Sequence, residues 1–211
     1  MKLSSQPRAK YRSPIVSRTL SAEDLARFQS RLCDVAEALF AERGAENVSM
    51  RQLADALGVS PMTPYRYFAN REEIMAAVRI RGFDRFAAAL EDAYAAAPAK
   101  GADRAMAAGR AYIAFALGNP HTYRLMFEHR QQGDNSASPL GQAVARARAT
   151  LSVYGDGLIA SGMAEGEARR MEVLIWSTLH GAVALELAAT LPPGSALQTL
   201  DLLGRAALRG A

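Results

Sequence analysis

The amino-acid sequence predicts an all-α protein of about nine helices. Apolar residues recur at three- and four-residue spacing along most of the 211 residues, and no alternating strand pattern or internal repeat occurs. Glycine, proline and short polar residues separate the periodic segments. Because hydrophobic residues make up 50% of the chain, these helices can bury a substantial core.

The first predicted helix covers residues 21–43. Ser21 precedes it as a candidate N-cap and Gly44 follows it as a candidate C-cap. Its apolar residues lie at helical spacing and form one face: Leu25, Phe28, Leu32, Val35, Ala36, Leu39 and Phe40. We expect an amphipathic helix that supports the elements after it. Cys33 lies within this apolar pattern, which favours packing over redox chemistry, and a single cysteine fits a reducing cytoplasm.

A second helix is predicted from about Ser49, because Ser49 and Gln52 have the spacing of a capping box. It ends at Gly58, where the chain can turn with positive φ. Ser60 and Pro61 then suit the start of another helix, since proline at the first helical position loses no hydrogen bond. Two short helices joined in this way predict a helix-turn-helix, whose second helix can lie in the DNA major groove.

One residue disturbs the second helix of this motif, the recognition helix. Pro64 is at its fourth position, where proline cannot donate a hydrogen bond back to Ser60 and disfavours helical angles at Thr63. We expect a distorted first turn in an otherwise intact helix. Asn70 and Glu73 then cap a further helix, which runs to about Ala95 and is long enough to connect two domains.

This stretch resembles the TetR family of transcriptional regulators, in its Gly-Val-Ser turn at 58–60, its Tyr-x-Tyr-Phe at 65–68 and its Asn-Arg-Glu-Glu at 70–73. The resemblance implies two sets of DNA contacts. The residues expected to hold phosphates are Ser49, Arg51, Ser60, Thr63, Tyr65 and Arg71. Those expected at base edges are Arg51, Met62, Thr63, Arg66 and Tyr67. Phe68 is apolar and is expected to anchor the helix inward.

The first 20 residues form a basic arm without an acidic residue. Its cations are Lys2, Arg8, Lys10, Arg12 and Arg18. Their summed positive charge is larger than the formal net charge of +4 for the whole chain. The arm lacks the apolar run of a signal peptide, so we expect a cytoplasmic protein. Such an arm can wrap the duplex and neutralise phosphates, or it can be a solvated tail, and the sequence leaves both open.

The remainder of the chain predicts five more helices, at 103–117, 121–130, 139–161, 165–190 and 195–209, with an exposed polar loop over the QQGDNSASP stretch. Trp176, His180 and Gly181 form a Trp-x-x-x-His-Gly motif that resembles the C-terminal domain of one TetR subgroup. The apolar run 173–191 contains His180 and Glu186, which favours a buried helix over a membrane span.

Two nearly all-apolar helices at the C-terminus predict a homodimer, because two from each chain would form a four-helix interface. The recognition helices of such a dimer would contact half-sites roughly 35 Å apart on an inverted-repeat operator. A small-molecule effector would fit among eight C-terminal residues that could equally be core: Tyr112, Phe115, Tyr123, Met126, Phe127, Tyr154, Trp176 and His180. On its apolar stripe His180 needs a partner, which could be a ligand group, a backbone carbonyl or the opposite subunit.

These features predict a DNA-binding regulator with an arm at 1–20, a helix-turn-helix domain at 21–75 and a ligand-binding and dimerisation domain at 76–211. Repression relieved by the effector is the mode that the resemblance implies. One alternative is a DNA-binding or architectural protein that needs no ligand. Another is an enzyme that uses His180 with Glu172 or Glu186, but no catalytic, phosphate-binding or metal-ligand motif occurs, so no cofactor or metal is expected.

Overall fold

A computed structural model describes residues 21–98, 101–128 and 136–209, and within them the regular elements are helical. The helices are α1 (Ala22–Arg43), α2 (Met50–Leu57), α3 (Arg71–Ala96), α4 (Gly101–Gly118), α5 (Pro120–Glu128), α6 (Pro139–Ala149), α7 (Ser152–Ala160), α8 (Glu165–Leu187) and α9 (Ser195–Arg209). Two short 3-10 segments, Ala45–Asn47 and Pro64–Arg66, join them. The predicted basic arm and most of the predicted polar loop lie outside the described residues.

The predicted helix starts at Ser49 and Asn70 are confirmed. The Ser49 hydroxyl accepts the Gln52 N–H at 3.3 Å, and the Gln52 side chain accepts the Ser49 N–H at 2.8 Å, which completes the capping box. At α3, Asn70 accepts the Glu73 N–H at 2.9 Å while Glu73 accepts the Ala69 N–H at 2.7 Å. Gly58 ends α2 with φ 68°, a left-handed conformation that costs glycine little.

A Ser49→Ala variant should therefore lower the free energy of unfolding by about 1 kcal/mol, because the Gln52 N–H at the start of α2 loses its acceptor, the Ser49 hydroxyl. Urea unfolding followed by circular dichroism measures this change. Ser30→Ala is the matched control, since Ser30 is an exposed serine in the middle of α1. Equal stability of the two variants would contradict a stabilising role for the box.

The predicted recognition helix is wrong in type, because residues 60–68 form consecutive tight turns and the 3-10 segment Pro64–Arg66 rather than an α-helix. Bonds of the i→i+3 kind run from the N–H groups of Thr63 to the Ser60 carbonyl (2.8 Å) and of Tyr67 to the Pro64 carbonyl (3.0 Å). Pro64 has no N–H for an α-helical bond to Ser60. Thr63 nevertheless has helical angles, φ −64° and ψ −47°, so the predicted distortion at Thr63 is also wrong.

The helix predicted over 139–161 is two helices, α6 and α7, separated at Thr150 and Leu151. The Thr150 hydroxyl donates to the Ala147 carbonyl at 2.7 Å, and the Leu151 N–H donates to the Arg148 carbonyl at 3.0 Å. These bonds tighten the end of α6, and both residues are buried. The break lets α6 pack against α3 while α7 packs against α8.

Two hydrophobic cores share α3. The first is formed by α1, α2 and the N-terminal half of α3, and its fully buried residues include Leu32, Leu53 and Ile74. The second is formed by the rest of α3 and by α4 to α9. Leu125 of α5 belongs to the first core although its neighbours Tyr123 and Met126 belong to the second. Within the described residues, no helix is long and apolar enough to cross a membrane.

Candidate DNA-binding surface and buried polar cluster

The tight turn after α2 presents an exposed surface. Met62 is 67% exposed and Tyr65 is 48% exposed, although both side chains are large and apolar or aromatic. Pro64 between them is buried, and its 3-10 segment contacts α2, so it holds the turn against α2. The predicted DNA-contacting residues that are exposed are Ser49, Arg51, Ser60, Met62, Tyr65 and Arg66. The structure places these six on α2, its cap and the turn that follows.

The other three predicted DNA-contacting residues are half-buried: Thr63, Tyr67 and Arg71. The Tyr67 ring stacks on Phe28 of α1, with ring centroids 4.3 Å apart and an angle of 25° between the planes. Phe28 therefore holds the turn against α1. This role was missed from the sequence, where Phe28 was one more residue of an apolar helix face.

Arg71 also makes intramolecular contacts. Its guanidinium donates to the carbonyls of Ala45 and Glu46, at 3.0 and 2.9 Å, and to the Glu72 carboxylate at 3.1 Å. These bonds tie the start of α3 to the 3-10 segment between α1 and α2. Arg71 and Tyr67 thus position the exposed turn, whatever further contact they make with DNA.

In the second core a polar cluster joins three helices. The hydroxyl oxygens of Tyr112 (α4) and Tyr123 (α5) are 2.6 Å apart, and Nδ1 of His180 (α8) lies 2.6 Å from Tyr123 and 3.2 Å from Tyr112. The partners of His180 are therefore two tyrosine hydroxyls, none of the three partners expected from the sequence. With Nδ1 unprotonated, the imidazole accepts from Tyr123, and Tyr123 accepts from Tyr112.

Burial keeps this cluster uncharged. Desolvation raises the pKa of Tyr112 to about 12 and raises the pKa of Tyr123 further. Desolvation also lowers the pKa of His180, which favours the neutral imidazole. Of the eight residues predicted to bind a ligand, Tyr112, Tyr123, Met126 and Tyr154 are buried, and Phe115, Phe127, Trp176 and His180 are half-buried around them. The structure brings all eight together in one packed region.

A His180→Leu variant should lose about 1–3 kcal/mol of stability at pH 7.5, because it leaves one hydroxyl proton of the Tyr112–Tyr123 pair without an acceptor in a buried site. The folded-state pKa of His180 is depressed, so its contribution is complete above the ordinary histidine pKa of about 6.5 and is lost as the pH falls. Urea unfolding of wild type and variant should therefore show a smaller stability difference at pH 5.5 than at 7.5. A difference that grows at acidic pH would contradict the neutral imidazole.

The two carboxylates considered as catalytic partners of His180 have other roles. Glu172 accepts a hydrogen bond from Arg169 at 2.9 Å. Glu186 accepts the N–H groups of Gly194 and Ala196, at 2.7 and 2.8 Å, and so caps the start of α9. Among the residues that the structure describes, no group of three or more side chains could hold a metal ion.

Helix α5 connects the polar cluster to the first core. Thr122 donates to Glu37 of α1, and Glu37 also accepts from Arg85 of α3 at 2.6 Å. The buried Arg79 of α3 donates to the Met126 carbonyl at 3.3 Å. Leu125 packs within the first core. A displacement of Tyr123 would therefore act on contacts that α5 makes with both α1 and α3.

The fold and the exposed turn define a helix-turn-helix protein with a second helical domain, and comparisons with known proteins agree. Residues 32–78 match the family model described as bacterial regulatory proteins, tetR family, and residues 105–207 match the tetracyclin repressor-like C-terminal domain. Together these matches cover most of the chain. The protein belongs to the TetR family of bacterial regulatory proteins.

Individual relatives share parts of this pattern. An HTH-type transcriptional regulator of Staphylococcus aureus strain USA300 is 34% identical over 64 residues, which are 30% of this chain and 35% of that protein, so the match spans about a third of the curated relative. A Rhodococcus sp. RHA1 structure described as a protein with unknown function is 27% identical, with a TM-score of 0.74, over 86% of this chain and 94% of that one.

Two further solved structures share the fold. PfmR, a TetR family transcriptional regulator from Thermus thermophilus, is 22% identical with a TM-score of 0.61, over 83% of this chain and 97% of that one. The fatty acid degradation regulator FadR from Bacillus halodurans is 16% identical with a TM-score of 0.68, over 83% of this chain and 94% of that one.

Proposed function

We propose that the protein is a sequence-specific transcriptional repressor that a small-molecule effector releases from an inverted-repeat operator. The observation that carries this proposal is the exposed turn with Met62, Tyr65 and Arg66, mounted on a core whose α3 and α5 continue into the second core. In this scheme residues 1–20 are an arm, 21–75 the DNA-binding domain and 76–211 the effector-binding and dimerisation domain.

The exposed turn would enter the major groove. Arg66 and Met62 are best placed to contact base edges, because they are exposed on the turn, and Arg51, Ser49, Ser60 and Tyr65 surround them as phosphate contacts. Thr63 lies half-buried within the same turn. Tyr67 and Arg71 would contribute mainly by holding the turn, since the stack on Phe28 and the bonds to Ala45 and Glu46 already occupy them.

A homodimer would place two such turns on one operator. Helices α8 and α9 expose apolar side chains that a lone chain leaves in contact with water, and these are Val173, Leu174, Leu185, Leu197 and Leu202. Pairing of α8 and α9 with the same helices of a second copy would cover them and form a four-helix interface. The Trp-x-x-x-His-Gly motif lies on α8, and we assign the chain to the subgroup of the family that carries it.

The effector would act through α3 and α5. It would bind in the second core near Tyr123, and a shift of α5 would alter the contacts of Leu125 and Thr122 with the first core. For about a hundredfold release from DNA, the effector has to bind the released state more tightly by about 2.7 kcal/mol. A ligand that binds both states equally would release nothing.

Fluorescence anisotropy tests the proposal. The full chain and a variant lacking residues 1–20 are titrated into labelled DNA from beside the protein's own gene and into scrambled DNA, at low and physiological salt. Light scattering of the same samples gives the oligomeric state. We expect selective binding by a dimer at physiological salt, and a smaller salt dependence without the arm because fewer phosphates are neutralised.

Two results would count against this function. Binding that does not distinguish the two DNA sequences and disappears at physiological salt would leave only electrostatic attraction by basic residues. Selective binding by a protein that no compound releases would favour the ligand-independent DNA-binding protein instead.

A further inference from the structure

The second core contains buried polar atoms that its own residues leave unsatisfied. Tyr154 of α7 is 8% exposed, and its hydroxyl has no hydrogen-bond partner within the described part of the chain. The buried indole N–H of Trp176 faces the Tyr112 hydroxyl without forming a well-aligned hydrogen bond to it. A buried donor without an acceptor destabilises the folded state, and it commonly marks a place where a ligand or a water completes the bonding.

Both donors lie around Tyr112. The Trp176 N–H faces the Tyr112 hydroxyl, which Tyr123 and His180 already engage, and Tyr154 lies close enough to Tyr112 to interact with it electrostatically. The Tyr154 hydroxyl points at α4 one helical turn before Tyr112, where Gly109 leaves room for it. A Cβ at position 109 would lie 2.5 Å from the Tyr154 hydroxyl oxygen and 2.6 Å from Leu200.

The surroundings of these donors are aromatic and uncharged. Phe86, Phe115 and Tyr112 pack edge to face, and Phe127 meets both Tyr123 and His180. The buried apolar and tyrosine side chains of the second core carry no charge. The buried guanidinium of Arg79 donates to the Met126 carbonyl, at the junction of α3 with α5. A carboxylate placed beside Tyr154 would be desolvated without a cation from these residues, which is costly.

We propose that the effector is an uncharged molecule with a ring-shaped apolar body and a neutral hydrogen-bond acceptor such as a carbonyl oxygen, held by the Tyr154 hydroxyl and the Trp176 N–H. This inference rests on the proposed function and names the chemistry of its effector. Because the Tyr154 hydroxyl lies against Gly109 and Leu200, the acceptor reaches it only when the packing of α7 or α9 changes. Binding therefore selects a conformation in which α7 or α9 is packed differently.

Three probes of nearly the same shape test the proposal by isothermal titration calorimetry. Acetophenone carries a carbonyl oxygen, α-methylstyrene replaces that oxygen with a methylene group, and benzoate carries a charge. We expect acetophenone to bind about fivefold more tightly than α-methylstyrene, which corresponds to one net neutral hydrogen bond. Benzoate should bind more weakly than either. Equal binding of all three, tightest binding of benzoate, or no binding of acetophenone at millimolar concentration would overturn the proposal.

Two tyrosine variants separate ligand contact from structural support. Tyr154→Phe should abolish the preference for acetophenone over α-methylstyrene and should leave the melting temperature of the free protein unchanged or higher, because it removes an unsatisfied hydroxyl. Tyr112→Phe is the control, since it removes a satisfied hydroxyl and should lower the melting temperature. A Tyr154→Phe variant that keeps the preference, or that is destabilised as much as Tyr112→Phe, would overturn the assignment.

DNA binding without any probe is measured on the same preparations. If selective DNA binding is present but acetophenone is not preferred, the effector chemistry is wrong and the repressor stands. If the carbonyl preference is present but selective DNA binding is absent, the site stands and its use as an effector site is wrong.

Discussion

An Arg66→Glu variant should bind operator DNA at least about a hundredfold more weakly than wild type at physiological salt. Arg66 lies exposed on the turn between the buried Pro64 and Tyr67, which stacks on Phe28, so its side chain is held outward by two anchors. Loss of one base or phosphate contact costs about 1–3 kcal/mol, and the introduced carboxylate adds repulsion from the phosphates. Fluorescence anisotropy measures the loss.

The matched control for Arg66→Glu is Arg148→Glu, which makes the same charge change at an exposed position of α6 in the second domain. The control should keep DNA affinity within about threefold of wild type, because the changed charge lies away from the proposed interface. Circular dichroism checks that both variants fold. Equal losses in the two variants would mean that net charge, and not the exposed turn, determines binding.

A Leu125→Ala variant should lower the free energy of unfolding by about 2–5 kcal/mol, because it leaves a cavity where α5 enters the first core. The loss of stability should affect the DNA-binding domain, although Leu125 is distant from that domain in the sequence. Urea unfolding measures the stability, and hydrogen exchange should show faster exchange in α1 and α2.

Leu25→Ala is the control for this cavity, since Leu25 of α1 is 39% exposed. It should change stability by less than about 1 kcal/mol. If Leu125→Ala instead accelerates exchange only in α4 and α8, then α5 does not connect the two cores, and the proposed route from effector to DNA would need another element.

Most of the fold could be predicted from local sequence. The capping pair Ser49 and Gln52, the cap at Asn70 and the turn at Gly58 each involve residues within four positions of one another, and the structure confirms all three. Helical periodicity likewise predicted α1, α3, α8 and α9 to within a few residues. The family motif at 58–73 located the candidate DNA-binding surface for the same reason, because its residues are contiguous.

The details of the candidate sites depended on partners that are distant in sequence. Pro64 could be seen to disturb the recognition helix, but whether the turn stayed α-helical depended on how the buried proline and the Phe28–Tyr67 stack hold it. The sequence predicted Arg71 as a phosphate contact, but its guanidinium donates hydrogen bonds to the carbonyls of Ala45 and Glu46.

The amino-acid sequence by itself determined most of the helices, their caps at Ser49 and Asn70 and the position of the helix-turn-helix motif, since these follow from propensities and hydrogen bonds between near neighbours. Only the tertiary structure decided that Tyr123 and His180, 57 residues apart, share a hydrogen bond. It also decided that Leu125 packs in the first core, although the other buried hydrophobic residues of α5 pack in the second. The physical reason is that burial and long-range hydrogen bonding depend on how the helices pack. Helical periodicity predicts which face of a helix is buried, but it does not predict which other helix that face contacts.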